Sequence, residues 1–359
     1  MTDVMVEKER VNNTRRDPLV DVVRGTAIFL MLWGHCIQYC YPENKDFFLD
    51  VTFKIIYSFH MPLLMFVSGY SFRFSAKRYD KREGKLLQYK VLSIAKPIIF
   101  GSVFVHLFTT VFFNILHGDN ILNYLNGAWL SALADLWFLW SVLGATTVMC
   151  LVKKYAKTRC TEIFIIIFGS LFVLWLPNGW LNLWIYPYYI IGYYCGGILL
   201  KKNTWVNYIG TALFMLMLPF FRKKHYIYTS GIIGREYSLM EYIQIDSFRW
   251  IIGVCGIIAV ITVIQWLLHI KSLQNLWHCA EKLGQKTLYV YILSVVFLSS
   301  YLPLAIRVMK RFDAVNCIYN KICANAVVYD TIFTLTLAVI YAVVLYFLII
   351  IPEKLKNIK

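Results

Sequence analysis

Apolar segments of about 20 residues recur along the whole chain, and they constrain its fold more than any other feature. A helix of that length spans the hydrocarbon core of a membrane, where every backbone polar group must bond within the protein. Hydrophobic residues make up 59% of the 359 residues and charged residues only 16%. We therefore predict an all-α, polytopic transmembrane helical bundle. We place about ten spans, by the length criterion, at 19–41, 53–74, 92–116, 129–152, 161–176, 181–200, 205–221, 247–270, 284–304 and 330–351.

The Lys and Arg residues between the spans predict the orientation. An even number of spans leaves both termini on one side, and placing that side in the cytoplasm puts most of the loop cations inside, as the positive-inside rule requires. The chain then divides into a cytoplasmic tail at 1–17, a transmembrane domain at 18–352 and a cytoplasmic tail at 353–359. Basic clusters at 222–224 and 307–311 fall outside and depart from the rule. Either the number of spans is wrong there, or the outer face has a basic surface with a purpose, such as contact with an acidic glycan.

The net charge of +16 does not predict nucleic-acid binding, because cationic loops of a membrane protein contact anionic lipid headgroups. The expected location is the membrane itself, with a bacterial inner membrane as the natural setting. The cysteines are scattered, and no metal site is predicted. Cys317 and Cys323 share an outer loop, and the sequence leaves open whether they pair.

The first span carries a cation and an imidazole, Arg24 and His35. Ionisable side chains are costly in a membrane, so their presence there suggests a functional site. At about 100° and 1.5 Å per residue, they lie within roughly 20° of the same helix face and roughly 16 Å apart along the axis. One helix face therefore presents a cation near the cytoplasm and a titratable base deeper in the membrane.

Two further polar residues are predicted at the depth of His35. His60 lies about seven residues into the second span, and Asp135 about six residues into the fourth, when both run inward. At the cytoplasmic face, Arg73 closes the second span and Lys96 precedes Pro97 in the third. The sequence thus predicts a basic inner mouth and an imidazole and carboxylate site further out.

This arrangement suits acyl transfer across a membrane. Arg and Lys bind phosphates, so Arg24, Arg73 and Lys96 are candidates to hold an anionic acyl donor. An imidazole acts as a general base near neutral pH, and a carboxylate can fix its tautomer. We therefore take His35, His60 and Asp135 as candidate catalytic residues. The spacing of Arg24 and His35 is comparable to the reach of a pantetheine arm, which is a hypothesis.

Several motifs resemble the acyltransferase-3 family of integral membrane acyltransferases. Arg24 and His35 are separated by ten residues, and Tyr57-Ser58-Phe59-His60-Met61-Pro62-Leu63 is most similar to the family's fucose 4-O-acetylase-like branch. Further likeness lies in three stretches: Leu136-Trp137-Phe138-Leu139, Pro187-Tyr188-Tyr189-Ile190-Ile191-Gly192-Tyr193, and Leu283-Gly284-Gln285-Lys286-Thr287-Leu288 followed by Tyr291. One departure is Ser294, where the late span of other members commonly ends in His.

The resemblance implies a membrane O-acyltransferase with acetyl-CoA as the donor substrate and no metal. Its expected partners are acyl-CoA, a glycan or glycolipid acceptor and membrane lipids, with no nucleic acid. The acyl group beyond a short chain, the acceptor hydroxyl and the oligomeric state stay open. Direct transfer and an acyl-histidine relay also stay open.

Other interpretations compete at both the molecular and the residue level. Intramembrane cations and imidazoles also serve transporters, so a flippase of a lipid-linked sugar or polysaccharide precursor is the alternative function, and a non-catalytic partner of an export machine is a third. Arg24 can simply snorkel, and His35 can bond between helices. His60 can bond between helices beside Pro62, and Asp135 can be an interfacial residue. Arg73 and Lys96 can be ordinary boundary cations.

Overall fold

The computed structural model describes residues 17–42, 45–79, 85–114, 127, 130, 135–201, 205–232 and 236–356. Within these residues the regular structure is entirely helical, which confirms the predicted all-α class. The N-terminal tail up to residue 16, the start of the predicted fourth span and the last three residues lie outside the described part.

Each predicted span coincides with a helix in the described part. The first six helices in chain order are α1 Pro18–Cys40, α2 Val51–Tyr79, α3 Lys85–Asn114, α4 Trp137–Tyr155, α5 Arg159–Trp175 and α6 Gly179–Leu199. The second half contains α7 Trp205–Met217, α8 Leu239–Leu267, α9 Gln274–Gln285, α10 Thr287–Ser294, α11 Asp313–Ala324 and α12 Leu335–Lys356. Wider π-helical turns, Val295–Tyr301 and Val328–Thr334, continue α10 and precede α12. After the first of these turns the chain continues as the helical segment Leu302–Met309.

Six helices in the described ranges are long and apolar enough to cross a membrane, namely Pro18–Cys40, Val51–Ser75, Leu87–Phe108, Leu239–Leu267, Thr287–Met309 and Val328–Ile351. The helices at the other four predicted spans are α4, α5, α6 and α7, and they do not meet that criterion of length and composition. The protein is therefore a helical membrane protein, with fewer spans established by length and composition than the ten expected.

Local sequence signals explain where several helices begin. Asp17 accepts a hydrogen bond from the Leu19 backbone N–H at 3.0 Å, and Pro18 occupies the first helical position, where a missing N–H costs nothing. Ser238 and Glu241 form a reciprocal capping box at the start of α8. These caps satisfy N–H groups that would otherwise be unpaired at the helix ends.

The centre of the bundle is built on α2, which packs against α1, α6 and α8. Two glycines let α2 and α6 touch backbone to backbone. A Cβ on Gly69 would lie 2.0 Å from the Tyr189 carbonyl oxygen, and one on Gly192 would lie 2.0 Å from the Phe66 carbonyl oxygen. Small residues serve this close approach in membranes, where apolar burial alone drives little association.

The loops collect at two opposite ends of the bundle. At one end, Lys223 pairs with Asp46 at 2.6 Å and Lys45 donates to the Cys323 carbonyl at 3.1 Å, so the loops after α1, α7 and α10 lie together. At the other end, α9 packs against the start of α1, and Arg73 lies beside Gly197. These are the two groups of loops that the alternation of predicted spans assigns to the outer and inner faces.

The structure also bears on the predicted fourth span and on the two cysteines of the outer loop. Asp135 was predicted to lie inside the fourth span, whose predicted start at 129 is outside the described residues, but it lies in the turn before α4, which begins at Trp137. This prediction was wrong because an apolar run carries no sharp signal for its first helical residue. Cys317 and Cys323 are both free thiols, the first exposed and the second buried.

Candidate functional site

A cavity of about 270 Å³ lies near the outer end of the bundle, between α1, α2, α10 and the turn before α4. Its polar lining includes the two histidines predicted from the sequence, His35 and His60, together with Asp135. Its remaining wall is largely aromatic: Tyr39, Phe47, Phe48, Phe53, Tyr57, Trp137, Tyr228 and Tyr291. The fold therefore brings together at one cavity three residues that the sequence placed at one depth.

Tyr57 connects His35 to a third polar side chain. The Tyr57 hydroxyl lies 3.1 Å from Gln38 Oε1, to which it donates, and 3.4 Å from His35 Nδ1. Since its single proton goes to Gln38, the Tyr57 oxygen accepts from His35 Nδ1–H. This assignment leaves Nε2 of a neutral His35 unprotonated and able to act as a base. The imidazole also stacks on Tyr39, with ring centroids 5.6 Å apart.

His60 has the same tautomer for a different reason. Its Nδ1 lies 2.9 Å from the Ile56 carbonyl oxygen one turn earlier, and a carbonyl can only accept, so Nδ1 carries the proton. Its ring centroid is 4.6 Å from that of Tyr57. The observed hydrogen bond of this buried imidazole is therefore made within α2. Both histidines consequently contact Tyr57 and keep Nε2 as the basic nitrogen.

Asp135 lines the cavity from the turn before α4 and is exposed. Its backbone carbonyl accepts a hydrogen bond from the Tyr291 hydroxyl at 3.1 Å, which ties this turn to α10. The hydrogen bonds described above for the two histidines go to Tyr57 and to the Ile56 carbonyl. A role of the Asp135 carboxylate in orienting an imidazole stays a prediction.

The three predicted donor-binding cations lie at the opposite end and do not line this cavity. Arg24 is half-buried and donates to Ser71 Oγ at 2.5 Å, and its Nη1 lies 3.5 Å from Asp21 Oδ1. Arg73 lies beside α6, where a Cβ on Gly197 would be 3.8 Å from its Nη1. Lys96 is exposed on α3. On α1 the cavity reaches Met31, two turns beyond Arg24, so the two predicted sites share a helix and not one cavity.

Ser294 lines the cavity, a location that the sequence did not predict. Ser294, which departs from the family pattern, lies in the cavity wall with Val295 and Leu298 of the π-helical turn. Its hydroxyl donates to the Tyr291 carbonyl at 2.7 Å. The wall therefore presents a small, internally bonded hydroxyl where other members commonly carry an imidazole.

Sequence reasoning assigned no catalytic or positioning role to Gln38, Tyr57 or Tyr228, which line the cavity with the histidines. Spacing could have found two of them, because Gln38 follows His35 by three residues and Tyr57 precedes His60 by three, which places each pair on one helix face. Tyr228 carries no such signal, since it reaches the cavity from a distant loop.

Charged groups flank the outer opening outside the spans. Burial, together with the nearby Asp330 carboxylate, raises the pKa of Asp50 to about 6, against a hydrogen bond from the Phe53 N–H that lowers it. Lys223 lowers the pKa of Asp46 by direct pairing. Burial and then the nearby cations, Lys224 first, lower the pKa of His225 to about 4. Outside the spans, this end of the bundle therefore holds an imidazole with a lowered pKa and a carboxyl group with a raised pKa.

The site is chemically suited to moving a proton from a hydroxyl beside an enclosed acyl group. It offers two basic imidazole nitrogens, a hydroxyl network and apolar walls that limit water. Among the residues that the structure describes, no group of three His, Cys, Asp or Glu residues could hold a metal ion.

Comparisons with known proteins agree with this chemistry. The acyltransferase-3 family model, described as an acyltransferase domain, matches residues 17–351. Nodulation protein NolL of Sinorhizobium fredii (strain NBRC 101917 / NGR234) is 27% identical over 193 residues, which cover 52% of this chain and 50% of NolL. NolL of Mesorhizobium japonicum (strain LMG 29417 / CECT 9101 / MAFF 303099) is 24% identical over 291 residues, 77% of this chain and 75% of that protein. The chain thus spans half the length of the first relative and three quarters of the second. No solved structure matches the chain.

Proposed function

The chain belongs to the acyltransferase-3 family, and from that premise we propose that it is a membrane O-acyltransferase. It moves an acetyl or other short acyl group from cytoplasmic acyl-CoA to a sugar hydroxyl of a surface glycan or glycolipid. The observation that carries the proposal is the cavity in which His35 and His60 both contact Tyr57. The family match includes both helices that carry these histidines.

His35 is the proposed general base. Its Nε2 takes the proton of the acceptor hydroxyl, and the resulting oxygen attacks the carbonyl carbon of the thioester. The carbon–sulfur bond then breaks, and the imidazolium returns the proton to the departing thiolate. The products are an ester and free coenzyme A, so atoms and charge balance. Tyr57 and Gln38 hold the imidazole in the required tautomer through Nδ1.

His60 is proposed to assist from the same cavity, either by orienting the acceptor hydroxyl or by donating to the developing oxyanion after it gains a proton. Asp135, an exposed residue that lines the same cavity, is proposed to stabilise the positive charge that forms on an imidazole during the reaction. Two charges interact more strongly across a low-dielectric cavity than through water.

The donor is proposed to enter from the cytoplasmic end. Arg24 already holds its guanidinium with Ser71 and near Asp21, and Arg73 and Lys96 lie on neighbouring helices. These cations would hold the phosphates of coenzyme A, about 16 Å from His35 along α1. The thioester arm would pass Met31, a flexible side chain that lines the cavity on the side nearer Arg24 along α1.

The proposal includes ten spans, cytoplasmic termini and the inner membrane of a bacterium. Helix α5 supports the larger number of spans, because it exposes an apolar stripe that water would penalise: Ile163, Phe164, Ile167, Phe168 and Leu171. Such a helix is suited to lipid contact even though it has only 17 residues.

The decisive experiment compares the surface glycans of cells that express the chain with those of cells that lack it, by mass analysis. We expect an added acetyl-sized mass that depends on the chain. His35→Ala should abolish it, a loss of at least about 10²-fold for a missing general base, while the protein level and thermal unfolding stay unchanged. Acylation by His35→Ala at the normal level would refute the mechanism.

Donor dependence separates this function from a transporter. Purified protein in liposomes should transfer labelled acetyl from acetyl-CoA to a glycan. A flippase would instead move the glycan across the bilayer without any acyl-CoA, and that result would replace the proposal.

A further inference from the structure

The guanidinium of Arg249 is buried in α8 and has all five of its N–H groups occupied. Arg249 is only 2% exposed. Nε donates to the His225 carbonyl at 3.0 Å, Nη1 donates to the Gly231 carbonyl at 2.8 Å and to Asp246, and Nη2 donates to the Lys224 carbonyl at 3.2 Å and to Ser230 Oγ. Buried charges are stable only when paired and fully bonded, and this one meets that condition.

Four of those five acceptors belong to one stretch of the outer loop, Arg222–Gly231, which we term the outer segment. Its own secondary structure is limited to a 3-10 turn at Lys223–His225 and one helical turn at Ile227–Ser230. It ends at Gly231, whose φ of 67° favours glycine. A segment with so little regular structure depends in part on outside contacts for its shape, and Arg249 donates from outside the segment to three of its carbonyls, those of Lys224, His225 and Gly231.

A second set of contacts fixes where the outer segment lies. The Tyr226 hydroxyl donates to the Phe48 carbonyl at 3.2 Å, and Lys223 pairs with Asp46 at 2.6 Å. The His225 ring stacks on Phe248 with centroids 4.4 Å apart. The segment is therefore held between the start of α8 and the loop that precedes α2.

The outer segment forms part of the cavity wall. Tyr228 lines the 270 Å³ cavity, and its ring meets Trp137 edge-on at 6.3 Å between centroids. A smaller neighbouring cavity of about 20 Å³ is lined by Tyr226, Arg249 and His60, among others. His60 thus faces the outer segment on one side and the main cavity on the other.

We infer that the outer segment is the acceptor-side wall of the transfer site and that Arg249 is the positioning residue that holds it there. This inference rests on the proposed function. The acceptor class is a carbohydrate, because aromatic rings with polar edges pack on the apolar faces of a sugar while bonding its hydroxyls. Arg249 acts through Tyr226 and Tyr228 and does not itself meet the reacting atoms.

The test compares wild type with Arg249→Lys in reconstituted liposomes. Lysine keeps the charge beside Asp246 but lacks the planar fork, so it cannot bond several carbonyls at once. Kinetics are measured with acetyl-CoA and the unacetylated glycolipid extracted from cells that lack the chain. We expect kcat/KM for the acceptor to fall at least about tenfold, while KM for acetyl-CoA stays within about twofold.

Hydrogen exchange supplies a readout that does not need turnover. In Arg249→Lys, amides of the outer segment should exchange faster, while those of α1 and α6 keep the wild-type rate. If Arg249→Lys folds poorly, Ser230→Ala takes its place, because it removes one acceptor and leaves the guanidinium intact. Exchange in the outer segment should then increase by a smaller amount.

Gln265→Ala is the matched control. Gln265 is buried in the same helix, and its amide donates to the Leu200 carbonyl at 2.8 Å, at the opposite end of α8. It should leave the acceptor kinetics unchanged. Equal losses in Gln265→Ala and Arg249→Lys, or an unaltered acceptor kcat/KM in Arg249→Lys, would overturn the inference. A wild-type protein that transfers no acetyl group would overturn the proposed function, and the inference with it.

Discussion

At the scale of single residues, Tyr57 decides the chemistry of the cavity. One hydroxyl proton, donated to Gln38, makes its oxygen the acceptor for His35 and thereby selects the imidazole tautomer. The ring of the same tyrosine contacts His60. A side chain that touches both candidate bases without being one itself should control their orientation and not substrate binding.

Tyr57→Phe tests that role. The change keeps the ring but removes the hydroxyl, so His35 loses its Nδ1 partner and can adopt either tautomer. We expect kcat to fall about fivefold, since one such hydrogen bond contributes about 1 kcal/mol, while KM for acetyl-CoA stays the same. Steady-state kinetics in liposomes measures both constants. A change in KM alone would contradict an orienting role.

Asp50 predicts a pH dependence of stability. Its carboxyl group is buried at the start of α2 and accepts from the Phe53 N–H at 2.8 Å, near Asp330. Because its folded-state pKa of about 6 lies above the ordinary value of 3.8, the folded state holds the proton more tightly. The free energy of unfolding should therefore fall as the pH rises from 3.8 to 6 and stay level above that range.

Asp50→Asn should flatten this dependence. Asparagine keeps an acceptor for the Phe53 N–H and cannot ionise, so the loss of stability between those pH values should disappear. Thermal unfolding in detergent at a series of pH values measures it. An identical pH profile in the variant would show that another group is responsible.

At the scale of helices, the contact between α2 and α6 depends on the absence of side chains. Gly69 and Gly192 bring each backbone within van der Waals distance of the other, and α2 carries both Tyr57 and His60. The position of the candidate bases is thus tied to how closely these two helices approach.

Gly69→Ala should lower the thermal midpoint of unfolding in detergent, because a Cβ would meet the Tyr189 carbonyl at 2.0 Å and the helices would have to separate. The expected cost is about 1–3 kcal/mol, as for other overpacked cores. Gly197→Ala is the matched control on α6, where the nearest atom would be 3.8 Å away. Equal midpoints for the two variants would contradict the close approach.

At the scale of the whole molecule, three natural cysteines report the orientation. Cys317 is exposed at the end that holds the outer segment, and Cys160 and Cys279 are exposed at the opposite end. With cytoplasmic termini, a membrane-impermeant maleimide should label Cys317 in intact cells and reach the other two only after permeabilisation. Variants that each retain one of these thiols make the assignment direct. Labelling of Cys160 or Cys279 in intact cells would reverse the orientation.

The sequence by itself determined the helical membrane class and placed three candidate site residues near one depth. Apolar runs of span length force helices because lipid offers the backbone no other partner. The alternation of runs also placed His35, His60 and Asp135 near one depth, since depth follows from counting residues along a helix. The family motifs contained His35 and His60, whereas Asp135 was placed by depth alone.

Only the tertiary structure decided which side chains surround them. Depth says nothing about rotation or about which helices are neighbours, so the link from His35 through Tyr57 to Gln38 required packed helices. Tyr228 lines the cavity from a loop that is more than a hundred residues from His35 and His60 in sequence. Arg249 holds that loop by donating to its backbone carbonyls, and no residue pattern records such bonds. Arg24 likewise shares a helix face with His35, yet on α1 the cavity lining reaches only to Met31 and does not include it.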